Sequence, residues 1–508
     1  MILTEPSKLE QLMDRHDFDE ATRNLIKERN LLPETLVNKL HSQYPQHSRL
    51  EEKTKKMFTA KNKYTGIKGF RQIVEILKEN GIELGDLKER ELFIEVYRFM
   101  VTKHVLNTID WDNYKLDSVF QLTFPQPGMI KESVKNAYMA ETDTEKRTQI
   151  ATDYIHETNP HDGKQTLNRP SFHTEDGELD TLQGSQHKYP QVFLLFDKTT
   201  QSCFSFCTYC FRHAQVRGDE DMFIQEEIKQ VHDYLKQHKE ITDILITGGD
   251  AGYMPADRMR KYLEPLLTDP ELSHIRNVRI ASRALTFDPI LVLDEKYDSI
   301  LKLFRELTDS GIQVLWMGHF SSPKELMNIT TIAAIRLLRY HGVNVKSQSP
   351  IMNHISLYTN DDGSVDVDKS AQNWIDLANI LTMQGVSFHS MYMARPTGEH
   401  HYFTVPIKEI NDVFNKIYRS LPSVSRPSRY ITMTSSAGKI SLLGEVEVNG
   451  KKAFALKFNE ARDMNWLDKT FIAEYDDKQN TIGNLKPFGT DKYFFEKELD
   501  AIEKELEK

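Results

Sequence analysis

Cysteine is nearly absent from this chain: of 508 residues only three are cysteine, and all lie between Cys203 and Cys210. An odd, clustered set cannot be a disulfide framework, and it fits a reducing, cytoplasmic setting. Long apolar runs are missing as well. None approaches the ~18 residues that cross a bilayer, so no membrane association is expected. The opening "MILTEPSKLEQLMDRHDF" has no basic stretch leading into an apolar one, which argues against a secretory leader. Excess positive charge is lacking too: the net charge of -10 gives no bulk attraction for nucleic acid. The chain also has no glycine fingerprint for a dinucleotide after its first predicted barrel strand, no Walker A sequence and no short internal repeat. What remains is the composition of an ordinary soluble enzyme, 39% hydrophobic and 28% charged.

Residues 1–185 read as a helical, charged region, because "FRQIVEILKENG" and "RELFIEVYRFMVTKHVL" carry apolar residues three and four apart. A polar, turn-rich stretch, "HETNPHDGKQTLNRPSFHTEDGELDTLQG", closes that region as a loop wrapped over a neighbouring surface. From residue 186 to 425, short apolar runs ("QVFLLF", "DILITGG", "NVRIASRA", "QVLWMGHF", "NVKSQSPIM", "SFHSMYMA") alternate with amphipathic segments. Six strand-then-helix units predict an α/β fold with a parallel sheet, curled into a full or partial (β/α)6 TIM-like barrel. A doubly wound open sheet is the alternative. Residues 426–508 form a β-leaning extension ending in a charged helix. The aspartates of "NHISLYTNDDGSVDVDKS" lack EF-hand spacing and read as a solvated turn.

Cys203, Cys207 and Cys210 stand as C-x3-C-x2-C just after the first predicted barrel strand, where active-site residues of a parallel barrel emerge. Thiolates are soft ligands for zinc, copper(I) or iron-sulfur clusters, and no fourth cysteine exists to close a structural site. A zinc ion on the three cysteines and His213 is one reading. The other is a 4Fe-4S cluster held by three thiolates, with one iron left to chelate the amino and carboxylate groups of a small molecule.

With "HKYP", "CTYCFR", "DILITGGDA", "VRIASR", "WMGHF" and "SQS" following one another, residues 185 to 445 resemble the lysine 2,3-aminomutase group of the radical S-adenosylmethionine superfamily. The resemblance implies a partial barrel of the radical SAM type, a cluster on the three cysteines, and S-adenosylmethionine beside Gly248, Gly249 and Asp250. It implies pyridoxal phosphate on Lys439 in "TSSAGKISLLGE", with Lys188, Tyr189 and Gln348 around that cofactor, and Arg212 on the substrate α-carboxylate. Electrons would come from reduced flavodoxin or ferredoxin, and the protein could be a homo-oligomer. The sequence departs from the group's pattern in places. Lysine-selective members place two aspartates around the substrate ammonium; here those positions fall at Ala394 or Arg395 and at Thr432. A cation and a neutral hydroxyl would repel an ammonium and accept a carboxylate, so glutamate or another acidic or polar amino acid is the expected substrate. The cysteines of the group's interfacial zinc are missing, and the glycine run before the cofactor lysine is reduced to "SSAG". Two alternatives stay open: a radical enzyme of the same lineage that acts on a protein-bound lysine or without pyridoxal phosphate, and a non-catalytic metal-binding scaffold.

Overall fold

The computed structural model describes residues 8–15, 18–49, 57–158, 166–174, 176–217, 222–395 and 398–506. Parts of the polar loop near residue 160 and of "YMARPTGEHHY" lie outside that set. An 11-stranded sheet forms the centre, with its strands side by side in chain order. They are β1 (Ser185–Tyr189), β2 (Val192–Phe196), β3 (Asp243–Thr247), β4 (Asn277–Ala281), β5 (Gln313–Gly318), β6 (Asn344–Ile351), β7 (Ser387–Met393), β8 (Thr432–Thr434), β9 (Gly438–Val448), β10 (Lys451–Ala461) and β11 (Thr470–Glu474). Six main helices follow β2 to β7 in turn: α1 (Ile228–Gln237), α2 (Ala256–Leu263), α3 (Asp298–Asp309), α4 (Ile329–Tyr340), α5 (Val367–Met383) and α6 (Ile407–Ser420).

Strands β2 to β7 pair parallel, each with the next. A doubly wound sheet reverses strand order at a switch point. This one never does, so the partial (β/α)6 barrel stands. Covered on both faces, a parallel strand reads as a continuous apolar run, and Val314, Leu315, Trp316 and Met317 of β5 are all buried. The helices show the complementary pattern: α3 buries Ile300, Leu301, Leu303, Phe304 and Leu307 on one face.

Strand β1 runs antiparallel to β2, and β8 continues from β7 through a Tyr392–Thr432 pairing before β9 to β11 turn antiparallel. The two sides of the array approach each other. The Lys188 ammonium on β1 donates to the Ser435 carbonyl between β8 and β9, and Gln191 Nε2 lies 3.0 Å from Met464 Sδ.

The N-terminal region packs on the barrel. Arg49 N donates to Met327 O at 2.9 Å, and the Arg29 guanidinium lies 4.6 Å from the Tyr340 ring centroid, so α4 is covered on its outer side as well. Among the described residues, no helix is long and apolar enough to cross a membrane.

Candidate active site

The cysteine loop leaves the C-terminal end of β2 and is gripped by the N-terminal region. Phe206 N donates to Met100 O (2.8 Å), Thr208 N to Leu122 O (2.9 Å) and Thr208 Oγ1 to Gln121 O (2.8 Å), while Ser205 Oγ accepts from Thr102 N (3.1 Å). The Cys203 carbonyl accepts from Lys63 Nζ at 2.6 Å and from Tyr253 OH at 3.2 Å. These bonds fix the backbone that carries the three cysteines, each of which is half-buried. Burial pushes all three thiols up, Cys210 to about 12, and negative charge on neighbouring cysteines adds to the rise at Cys203 and Cys210. Such thiols stay protonated unless a metal takes the proton's place.

The donor set fits a cluster better than one zinc ion. Sulfurs on a tetrahedral zinc, at about 2.3 Å from the metal, would sit within about 4 Å of one another. Among the described residues the only His/Cys/Asp/Glu group with ligand atoms all within 4.8 Å is His187, His238 and Glu240, away from the cysteines. His213 is not drawn to them either: its Nε2 donates to Thr158 O at 2.8 Å, and its Nδ1 has no partner among the described residues.

Gly248 and Gly249 are needed by the loop itself. A Cβ on Gly248, at φ +139°, would lie 2.3 Å from Thr200 Oγ1, and one on Gly249 would lie 2.7 Å from Ser202 O and 3.0 Å from Cys203 Sγ. The end of β3 is therefore pressed against the cysteine loop. Asp250 accepts from Gly252 N and Arg283 N, both at 2.8 Å, and burial pushes its carboxyl up to about 6. Arg283, the last residue of the quoted "VRIASR" and given no role by it, bridges three elements: it donates to Tyr209 OH (2.8 Å), to Glu325 Oε1 (2.7 Å) and toward Cys207 Sγ (3.6 Å). Burial works against its charge, but Tyr209, Cys207 and Glu325 outweigh it, and the guanidinium is held above its usual range.

A cavity opens beside this loop inside the barrel. Lys188, Tyr189, Arg212, Gln348, Arg395 and Lys439 all line it, so one enclosed space collects six of the residues singled out by sequence. Lys439 reaches it because β9 is irregular between Lys439 and Ile440, and because Gly438 leaves room where a Cβ would meet Glu460 O at 2.1 Å. Its ammonium lies 5.3 Å from the Tyr189 ring centroid, and that of Lys188 at 5.6 Å. Gln348 likewise follows a register shift, after Ser347 in β6.

Positive charge dominates the cavity. Arg279 is matched by Asp243, at 2.6 Å. Arg212 donates to Thr247 Oγ1 at 2.9 Å, and among the described residues neither it nor Arg395 has a carboxylate partner. Burial, then the charge of Arg395, brings Arg212 down to about 9. Burial lowers Lys188 strongly, helped by Arg462, Arg395 and Lys439. At Tyr392 burial acts to raise the phenol, but Lys439 and the other donors around it outweigh burial and lower it. An enclosed set of like charges is costly unless anions enter, so the cavity is built for anionic ligands.

One placement differs from the sequence reading. Thr432 does not reach the cavity: it is fully buried, donating to Tyr430 O (2.8 Å) and lying 3.0 Å from Ser441 Oγ. Thr434, two residues on, lines the cavity instead. Gly248 and Gly249 lie against the cysteine loop, outside the cavity wall, and Asp250 follows them. His319, Arg279 and Tyr392 line the cavity without having been singled out, although His319 and Arg279 sit inside the quoted "WMGHF" and "VRIASR".

A partial (β/α)6 barrel with three cysteines on the loop after its first parallel strand defines a fold of the radical SAM type. The sequence comparisons carry this further. A protein of Aquifex aeolicus provisionally named an L-lysine 2,3-aminomutase is 30% identical over 267 residues, 52% of this chain and 66% of that one. Glutamate 2,3-aminomutase of Clostridioides difficile is 26% identical over 266 residues, covering 49% and 59%. An uncharacterized KamA family protein of Methanocaldococcus jannaschii is 21% identical over 459 residues, covering 86% and 65%. The chain is thus a homologue of the lysine and glutamate 2,3-aminomutases, and spans about two thirds or less of the length of these three relatives. No family model matches. Among solved structures, a radical SAM methyltransferase from Sphaerobacter thermophilus aligns over 72% of this chain and 93% of its own at 14% identity, with a TM-score of 0.31. The fold assignment rests on the strand order rather than on that score.

Proposed function

We propose that this protein is a radical SAM, pyridoxal phosphate-dependent amino acid 2,3-aminomutase acting on glutamate or another amino acid with an acidic or polar tail. The supporting observation is the cavity's pair of arginines without carboxylate partners. The guanidinium carbons of Arg212 and Arg395 lie 5.2 Å and 4.4 Å from the centroid of one ring, Phe211. Both guanidiniums thus pack against the same ring. A substrate carrying two carboxylates would satisfy both, Arg212 taking the α-carboxylate and Arg395 the tail. A lysine tail would instead add a cation to a site already crowded with them.

Cys203, Cys207 and Cys210 would hold the 4Fe-4S cluster, and the cavity residues fit pyridoxal phosphate, with Lys439 as its attachment, Tyr189 against its ring, and Lys188 and Gln348 around it. When bound, the cluster with S-adenosylmethionine supplies hydrogen-atom abstraction from an unreactive carbon, and pyridoxal phosphate supplies the conjugated system across which nitrogen migrates. The protein's own residues orient and enclose. Arg212 and Arg395 align the substrate carbons, Tyr209 and Phe403 wall the side toward the cysteines, and the covered cavity keeps water from reactive species.

The test is anaerobic reconstitution with S-adenosylmethionine and dithionite, with glutamate, lysine and alanine followed by NMR and the visible spectrum recorded. A β-amino acid from glutamate, with a cofactor band lost in Lys439→Ala, is the expected outcome. Clear preference for lysine would overturn the substrate assignment, and S-adenosylmethionine cleavage without the band would overturn the cofactor.

A further inference from the structure

Residues 398–403, which follow β7, bring His400 and Phe403 to the cavity. Phe403 packs edge-on to Tyr209 in the cysteine loop, with ring centroids 5.8 Å apart. This wall is held from outside the barrel. Glu399, only 2% exposed, accepts from Tyr97 OH at 2.5 Å and from Tyr154 OH at 3.1 and 3.2 Å. The tyrosines belong to different parts of the N-terminal region: Tyr97 caps the helix Leu87–Val96, and Tyr154 lies in the helix Thr144–Glu157. The Thr158 carbonyl, at the end of the second helix, accepts from Gly398 N (3.4 Å) and from His213 Nε2 (2.8 Å), three residues after Cys210.

We propose that Glu399 is a positioning residue: by gathering Tyr97 and Tyr154 it locks the His400–Phe403 wall against the cysteine loop, making the N-terminal region part of the substrate site. The proposal rests on the aminomutase reading for what the site binds, but not for the lock itself. A buried carboxyl group that accepts from two phenols is satisfied only while all three elements stay together, and removing it takes away the acceptor to which both buried hydroxyls donate.

The lock is sensitive to pH. Burial pushes Glu399 up to about 7, against the pull of both phenols and Lys131, with Glu157 adding to the rise. On its own segment it faces His401, at 3.6 Å, beside His400, while His213 packs against Tyr97 with ring centroids 5.0 Å apart. With the folded value raised, the stabilising contribution is complete below the usual carboxyl value and is lost as pH climbs through about 7.

Hydrogen exchange of the full-length, cluster-loaded protein reads the lock without turnover. Exchange across residues 398–404 should quicken about tenfold or more in Glu399→Ala. In wild type it should also rise above pH 7 after correction for intrinsic rates, and Glu399→Gln, an uncharged acceptor, should remove that rise. In turnover assays, Glu399→Ala should raise KM about tenfold with a smaller change in kcat, and Glu399→Gln should restore most of it. Unchanged exchange in this segment, or loss of kcat with KM intact, would overturn the proposal. Should Glu399→Ala not fold, Glu399→Gln and Tyr97→Phe carry the same comparison. If wild type turns over no amino acid, the functional reading fails while the exchange data still decide the lock.

Discussion

The ammonium of Lys188 donates to the carbonyl of Ser435, four residues before Lys439, and so ties β1 to the turn that presents the candidate cofactor lysine. The same turn is held from its other side, where Arg462 Nε donates to Ser436 O at 2.8 Å. Lys188 and Arg462 thus organise the "SSAG" segment by binding its carbonyls. Lys188→Met should weaken pyridoxal phosphate binding about tenfold, the loss of a charged hydrogen bond, whereas Lys188→Arg retains a donor and should stay near wild type. Spectroscopic titration with the cofactor measures both.

Arg395 and Arg212 should separate by substrate. Arg395→Met should raise KM for glutamate about tenfold or more while leaving turnover of shorter amino acids less affected; Arg212→Met should impair every substrate. Turnover of a panel of amino acids distinguishes the two, and equal effects on glutamate and alanine in Arg395→Met would remove Arg395 from the tail position.

Arg283 and Glu325 form an enclosed pair at 2.7 Å, with Glu325 also accepting from Ser321 N and Ser322 N at 2.6 and 2.9 Å. Arg283→Met strands the carboxylate, and breaking a buried pair this way costs about 3–5 kcal/mol. It also removes the donor beside Cys207. Unfolding by urea should show the loss, with lower iron content after reconstitution; Arg283→Met with Glu325→Gln, which keeps an acceptor for the serine amides, should recover part of the stability.

His213 is fully buried, and burial drives its imidazole down to about 4. A depressed value means that its contribution is present above the usual histidine value and fades as pH falls toward 4. At pH 5 the loss is about 2 kcal/mol for this residue alone. Urea unfolding at pH 7.5 and pH 5 should show it, and the pH slope should flatten in His213→Gln.

Much of this was legible locally. Apolar runs separated by amphipathic segments announce parallel strands covered by helices, because burial on both faces demands that pattern. The cysteine triplet is legible because its spacing lies within one loop, whereas Lys439 was singled out only by the family resemblance. Thr432 was misplaced for a physical reason: the strand-to-strand register decides how deep a residue lies along its strand, and it set Thr434 rather than Thr432 against the cavity. Arg283 and Glu399 escaped because their partners, Cys207 and Glu325 for one, Tyr97 and Tyr154 for the other, lie 42 or more residues away in sequence.

By itself, then, the sequence determined the barrel order and the spacing of three cysteines within one loop, since each follows from periodicity or spacing within a short stretch. Only the tertiary structure decided which cations share the cavity, that Gly248 and Gly249 lie against the cysteine loop, and that Tyr97 and Tyr154 of the N-terminal region meet Glu399. Those outcomes depend on contacts between distant segments, many made to backbone carbonyls that every residue carries, and no local pattern encodes which carbonyl is met.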